Sequence, residues 1–357
     1  KLLRINLTAG SVAAEEIPRT HLQDYLGGRG LAIRYLIAEI DPKVEPLSPE
    51  NKLIMASGPL TGTPIPTGAR YMVVTKSPLT GALTCSNSGG FFPTELKKAG
   101  FDMIIIEGQS AQPVYLFVED GRAELRPADH LWGRLVPETD QILRDETAES
   151  AKTAIIGPAG EKQVRIASIM NDKHRAAGRA GVGAVMGAKN LKAVVVKGSG
   201  SVDLADPAGV KALSKEIRGE VKATADAGKL VLRDYGTAYM PPVTSGAGMC
   251  PTRNFQTGVF HGAEKISGLV LTEKYLVRPG ACWGCPIACG RITRLDHERW
   301  QGQGEGPEYE TLASLGSSCG VDELEAIIKA NYHCNELGLD TISMGMTIGC
   351  AKELFQK

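Results

Sequence analysis

Met103-Ile-Ile-Ile-Glu107, then Val114-Tyr-Leu-Phe-Val118, then Glu119-Asp-Gly-Arg122 leading into Ala123–Arg126: this run sets the fold class. Its apolar segments are short and rich in β-branched and aromatic residues, which suits strands. Asp120-Gly121 is a strong hairpin turn, so residues 114–118 and 123–126 are expected to pair. Working outward, Lys1–Leu7 and residues 52–57, 71–75, 154–156 and 193–197 read as further strands, with Thr8-Ala-Gly10 as a turn. Helices are expected at 20–26, 30–40, 93–99 and 137–148. Residues 1–203 therefore form a β-sheet-rich domain of α+β class. After Gly198-Ser-Gly-Ser201 the pattern changes to a mostly α-helical domain, 204–357. Asp206-Pro207 opens a helix that runs to about 226, and 228–305 reads as loop-rich. Asp322 with Glu325 three residues on reads as an N-cap pair, and Gly338 as the glycine just past that helix's end. Asp340-Thr341 caps a last helix that runs into Lys357. No internal repeat is visible.

Lys plus Arg and Asp plus Glu are 40 each, which argues against nucleic-acid binding driven by bulk charge. No apolar run approaches the ~18 residues of a membrane span, and the start of the chain is not a signal peptide. Two counts stand out. There are 42 glycines in 357 residues, well above the usual share of ~7%. There are eight cysteines, and three of them fall in Cys282-Trp-Gly-Cys-Pro-Ile-Ala-Cys289.

The spacing C-x2-C-x3-C puts three thiols on one tight loop. Cysteine thiolates, four in the usual case, hold iron–sulfur clusters. Zinc requires a fourth Cys or His at finger-like spacing, and none follows closely. Reduced buried cysteines alone do not account for this spacing. Glycine concentrates in residues 58–70, Asn87-Ser-Gly-Gly90 and 174–183, each mixed with Arg, Asn or Thr. Such loops suit a large phosphate-bearing cofactor, which needs close backbone approach, N–H donors and guanidinium forks. Taken singly, each also reads as a set of tight turns. Gly181-Val-Gly-Ala-Val-Met-Gly187 imitates a dinucleotide fingerprint, but its spacing is G-x-G-x3-G and no apolar strand precedes it, so the Rossmann reading is rejected.

Taken together, these stretches resemble the tungsten-containing aldehyde:ferredoxin oxidoreductase family. The likeness is carried by Tyr25-Leu-Gly-Gly-Arg-Gly-Leu-Ala-Ile33, Gly58-Pro-Leu-Thr-Gly62, Arg70-Tyr71, Thr75-Lys-Ser-Pro-Leu-Thr-Gly81, Asn87-Ser-Gly-Gly90, His174-Arg-Ala-Ala-Gly-Arg179, the cysteine loop, Glu305-Gly-Pro-Glu-Tyr-Glu310 and Gly338-Leu-Asp-Thr-Ile-Ser343. The resemblance implies a tungsten (or molybdenum) bis-pterin, lying on the β-rich base domain beside one [4Fe-4S] cluster, with room for Mg2+ bridging the pterin phosphates. It implies oxidation of a small aldehyde to the carboxylic acid. Electrons would pass through the cluster to ferredoxin or another iron–sulfur electron-transfer subunit. A homo-oligomer in the cytoplasm is expected, with no nucleic-acid or membrane partner. Paralogues acting on a sugar-phosphate aldehyde or reducing an aromatic thioester are the alternative within the family. A cluster-only electron-transfer module is the alternative outside it.

Residues carry over by motif. The resemblance places Arg70 between pterin and cluster, and gives Asn87, Gly89, Arg175, Ala176, Gly178, Arg179, Leu339 and Asp340 to the cofactor. Cys282, Cys285 and Cys289 match three cluster ligands, and Glu310 matches a glutamate near the metal, a general base or a substrate-positioning acid. Asp340 has a competing use as a helix N-cap. The pterin motif begins here with Asn335 and not Asp. A Glu-x-x-His iron site of some members is replaced by Lys329-Ala-Asn-Tyr332, so that iron is not expected. The fourth cluster cysteine is expected in a third domain, which this chain is expected to lack.

Overall fold

The computed structural model describes residues Lys1–Lys357. It resolves into two compact units. The first comprises Lys1–Ser214, Cys282–Gly284 and Glu336–Leu339; the second comprises Lys215–Ala281, Cys285–Asn335 and Asp340–Lys357. Residues up to Ser214 stay with the first unit, where the Ser214 hydroxyl donates to Pro64 O at 2.7 Å.

The first unit holds twelve strands: β1 (Leu2–Asn6), β2 (Ser11–Glu15), β3 (Leu53–Ser57), β4 (Tyr71–Lys76), β5 (Leu83–Ser88), β6 (Met103–Glu107), β7 (Val114–Glu119), β8 (Arg122–Pro127), β9 (Lys152–Ile155), β10 (Ile169–Asn171), β11 (Arg175–Ala177) and β12 (Leu191–Lys197). They form two six-stranded sheets, β2-β1-β6-β3-β4-β5 and β8-β7-β12-β9-β10-β11. The two orders are one topology used twice. In each sheet the first and sixth strands run parallel (β1 with β6, β7 with β12), and every other pairing is antiparallel. Helices repeat in step: Gly28–Glu39 and Val136–Glu146 follow the second strand of each set, and Phe92–Lys98 and Val182–Ala188 follow the fifth. The duplication is invisible in the sequence because a fold repeat requires only the same burial pattern, not the same side chains.

Period-two alternation builds the core. Leu3, Ile5, Ile104 and Ile106 of one sheet and Leu116, Val118, Val194 and Val196 of the other turn into one shared cluster between the sheets. The alternate residues face outward. Leu2, Met103 and Ile105 pack under Leu31, Ala32, Tyr35 and Leu36 of the first outer helix. Tyr115, Phe117, Ala193 and Val195 pack under Val136 and Leu143 of the second. Covered on both faces, these strands read as continuous apolar runs.

Sequence reasoning misses β2, β5, β10 and β11, which are short or polar. It also reads 228–305 as loop, whereas the second unit contains an antiparallel sheet of β13 (Leu276–Gly280), β14 (Gly290–Asp296) and β15 (Gln301–Glu305). Its outer strands carry Gly, Pro and Gln where propensity argues against β structure, and tertiary packing overrides that preference. A Cβ at Gly304 would stand 2.6 Å from the Tyr332 ring, so close approach explains the glycine. The helices Leu324–Leu337 and Thr341–Gln356 form as expected, with Gly338 at φ +73°. Asp322, however, places its carboxylate on Lys265 Nζ at 2.6 Å. No helix is long and apolar enough to cross a membrane.

Lys189, 1% exposed, ends the helix Val182–Ala188 and donates to three carbonyls: Asn51 O at 2.5 Å, Gly108 O at 3.0 Å and Pro49 O at 3.3 Å. Burial pulls its ammonium down to about 8, against the opposing pull of Glu107 and Glu50. Between about pH 8 and the unfolded value of 10.5 the unfolded chain binds more protons, so this group's contribution to stability rises with pH across that window. The gain is about 3 kcal/mol. Denaturant unfolding at pH 8 and pH 10.5 will show this increment in the wild type and lack it in K189M.

Candidate functional site

In the first unit the site grows from one fully buried amide. Asn171, at the end of β10, is 0% exposed. Its Oδ1 accepts from Ser88 Oγ at 2.6 Å and from the Tyr71 hydroxyl at 3.2 Å. Its Nδ2 donates to Gly89 O and to Asp172 Oδ2, both at 2.8 Å. Each amide atom is matched to partners of the correct sense, which sets its orientation. Asp172 Oδ2 also accepts the backbone N–H groups of Phe91 at 2.6 Å and Phe92 at 3.2 Å. It therefore caps the helix Phe92–Lys98, which has no side-chain cap of its own. Burial raises the Asp172 carboxyl above the usual range, and the hydrogen bonds from Phe91, Asn171 and Phe92 oppose that rise. Gly90 sits at φ +95°, where a Cβ would stand 2.2 Å from Asp172 Oδ2.

This network holds the Asn87–Gly90 loop as a shelf. A Cβ on Gly89 would lie 2.7 Å from Cys282 Sγ and 3.0 Å from Arg70 Nη1. Arg70 Nη2 donates to Asn87 Oδ1. Trp283 N–H donates to Gly90 O at 3.1 Å, and Lys98 Nζ stands 6.0 Å from the Trp283 ring centre. The fold thus gathers Arg70, Asn87, Gly89 and Cys282, residues separated by as many as 212 positions.

The second glycine loop follows β11. Arg179 N–H donates to Ser86 Oγ on β5 at 3.0 Å, and Ser77 Oγ donates to Ala180 O at 2.8 Å. Ala180 and Gly181 take φ +67° and +74°, and a Cβ at Gly181 would stand 2.4 Å from Arg165 O. Arg179 is exposed, while Arg175, Ala176 and Gly178 are half-buried. In the repeated topology this loop occupies the slot after the fifth strand, the slot that Gly89-Gly90 fills in the other sheet. The helix after it has seven residues and follows an antiparallel hairpin, so no dinucleotide unit exists. His174, in the β10–β11 turn, is held down to about 4 by burial and then by Lys173, with Asp140 opposing, and is neutral near pH 7. Leu339, 9% exposed, bridges to Ala167 in the same unit.

Cys285 and Cys289 of the second unit are half-buried and in no disulfide, and the same holds for Cys282 of the first. Gly284 at φ +66° and Ala288 at φ +53° bend their loop. Asp340 is 4% exposed and caps its helix. Its carboxylate accepts from Ile342 N at 3.1 Å, Ser343 N at 3.2 Å and Ser343 Oγ at 2.5 Å. Three of the roughly four acceptor positions of a carboxylate are taken by the cap. Glu310 lies exposed in the first turn of the helix Tyr309–Thr311. Its neighbour Glu308 accepts from Thr237 Oγ1, and Tyr309 N–H donates to that same hydroxyl oxygen at 3.0 Å. No three His, Cys, Asp or Glu side chains are gathered tightly enough to hold a single metal ion. Sequence reasoning assigned no role to Tyr71, Ser88, Asn171 or Asp172. The available signal was two polar residues, Asn171-Asp172, with no helix of their own to cap.

Comparison with known proteins agrees with this architecture. Residues 2–198 match the family "Aldehyde ferredoxin oxidoreductase, N-terminal domain", and 212–357 match "Aldehyde ferredoxin oxidoreductase, domains 2 & 3". The chain belongs to the aldehyde ferredoxin oxidoreductase family. It is 50% identical over 358 residues to the tungsten-containing aldehyde ferredoxin oxidoreductases of Pyrococcus furiosus and of Thermococcus kodakarensis. Each of these matches covers 100% of this chain and 58% of the relative, so the chain spans less than two thirds of their length. Among solved structures, the active-site complex BamBC of benzoyl-coenzyme A reductase with 1,5-dienoyl-CoA superposes with a TM-score of 0.87 at 30% identity, covering 99% of this chain and 55% of that one.

The Asn171 network has a direct consequence. Asn171→Asp replaces two donated hydrogen bonds by carboxylate oxygens facing Gly89 O and Asp172. The variant will lose about 3 kcal/mol of stability in denaturant unfolding, more than an amide-to-acid change at an exposed site.

Proposed function

We propose that this chain contributes the base of a tungsten (or molybdenum) bis-pterin oxidoreductase with an adjoining [4Fe-4S] cluster. The enzyme oxidises small aldehydes to carboxylic acids and passes electrons to ferredoxin or another iron–sulfur electron-transfer subunit. The observation that carries this reading is the duplicated sheet topology. It sets two glycine loops, Asn87–Gly90 and Arg175–Gly181, in equivalent slots and brings their strands together through Arg179 N–H and Ser86 Oγ. A cofactor built from two like halves suits a base built from two like halves.

The donor chemistry fits. Arg175 and Arg179 would offer forked donors to phosphate, with Mg2+ as a bridging ion, and Ala176 and Gly178, which have little or no side chain, would face the flat ring. Arg70 donates to Asn87 Oδ1 and lies with Cys282 beside Gly89, and Arg70 and Asn87 would contact the pterin. Cys282, Cys285 and Cys289 are in no disulfide and would hold three corners of a cluster, a body wider than a single ion. When bound, the metal centre supplies two-electron redox and Lewis-acid chemistry, and the cluster supplies a one-electron relay. The balanced reaction is RCHO + H2O → RCOO− + 3H+ + 2e−. Glu310, exposed and carboxylate-bearing, would take a proton from water or position the aldehyde. Leu339 and Asp340 would meet the pterin edge, Asp340 with what acceptor capacity its cap leaves. A cytoplasmic homo-oligomer completes the proposal. The likeness to benzoyl-coenzyme A reductase favours a second reading, reduction of an aromatic thioester.

Metal analysis of the anaerobically purified whole protein tests the cofactor. Tungsten or molybdenum with about four irons per chain is expected for a single [4Fe-4S] cluster; absence of both metals would sink the proposal. A panel of aldehydes with a viologen acceptor, set beside an aromatic thioester with a low-potential donor, separates the two substrate readings.

Asp340 offers a cleaner split. D340N keeps a good N-cap and should unfold like the wild type, while D340A loses about 1 kcal/mol. If the carboxylate also meets the cofactor, D340N alone will retain less pterin, read as fluorescence of the oxidised pterin released from the protein.

A further inference from the structure

Arg291, on β14, is 1% exposed and heads the fully buried side chains by size. Its guanidinium makes four hydrogen bonds, all to backbone carbonyls: Nε to Gly290 O at 2.9 Å, Nη1 to Asp234 O at 2.8 Å, and Nη2 to Arg233 O and Ala288 O, each at 2.8 Å. None goes to a carboxylate. Carbonyl dipoles satisfy the N–H groups but do not neutralise the charge, and a buried cation normally has a partner anion. Arginine stays protonated at any working pH, so the charge is permanent.

The same side chain shapes the loop. Ala288 takes φ +53°, a conformation that an L-residue with a side chain rarely adopts unaided. Arg291 Nη2 binds the Ala288 carbonyl, so the guanidinium pins the residue directly before Cys289. Gly236 closes the other side: a Cβ there would stand 2.7 Å from Cys289 O and 3.3 Å from Arg291 Cγ.

We propose that Arg291 is the built-in counter-charge and positioning residue of the iron–sulfur cluster that Cys289 helps to ligate, and that it raises that cluster's reduction potential. This rests on the cluster reading given above. A cluster with its thiolates is an anion that gains one more negative charge on reduction, so a fixed buried cation favours the reduced form. Arg291 is shielded by the protein itself, so water screens its charge little.

The test is an EPR-monitored redox titration of the anaerobically purified holoenzyme as wild type, Arg291→Lys and Arg291→Gln, with iron counted in each. Arg291→Lys keeps the charge and should keep the potential. Arg291→Gln should keep its iron while the midpoint moves to a lower potential, with the shift unchanged by pH from 6.5 to 8.5. A glutamine variant with full iron and the wild-type midpoint overturns the proposal. If the glutamine variant does not fold, the lysine variant decides: a wild-type midpoint supports the charge role and a lowered midpoint overturns it. Wild-type protein lacking iron altogether instead overturns the cluster reading.

Discussion

The buried carboxamide of Asn171 is the interaction on which the first unit turns. A polar group with no exposure must spend every donor and acceptor on the protein. Here those partners come from β4, from β5, from the loop after β5 and from Asp172. Three segments distant in sequence, at Tyr71, Ser88-Gly89 and Asn171-Asp172, are thereby held to one register. Apolar packing alone would not achieve this, because it tolerates sliding, whereas a hydrogen bond fails over a few tenths of an ångström. Asp172 extends the constraint to the helix Phe92–Lys98, and Gly90 admits it only because it has no side chain.

On that base the duplicated topology gives the unit its purpose. Two sheets of the same order share one core and carry one helix on each outer face. Each sheet delivers a glycine loop after its fifth strand. One loop supports Arg70, Asn87 and the approach of Cys282; the other presents Arg175 and Arg179. Both loops open on a glycine, Gly89 and Gly178, and differ in most of the side chains around it.

Two buried cations are held by backbone carbonyls alone, unlike the buried Lys192, which pairs with Glu161. Lys189 in the first unit and Arg291 in the second are both 1% exposed or less, and every hydrogen bond of their cationic groups ends on a carbonyl oxygen. Lys189 lies under the sheets, where nothing calls for a permanent charge, and its ammonium yields by losing affinity for its proton. Arg291 lacks that freedom, since a guanidinium does not deprotonate, and this difference makes its position beside Cys289 informative.

The strands from 103 to 126 were legible because both faces are buried and their turn is Asp-Gly, and the cysteine loop stands out because three thiols share one short segment. Helix ends at Gly338 and Asp340 could also be read locally, as capping is a local interaction. The polar strands β5 and β15, the Asn171 network and the Arg291 cage could not. Each depends on partners brought from far along the chain, and no local pattern encodes who those partners are. Residue chemistry alone named the thiols, the arginines and the glycines. Only the folded chain showed that Gly89 must lack a side chain because a sulfur and a guanidinium already occupy that space.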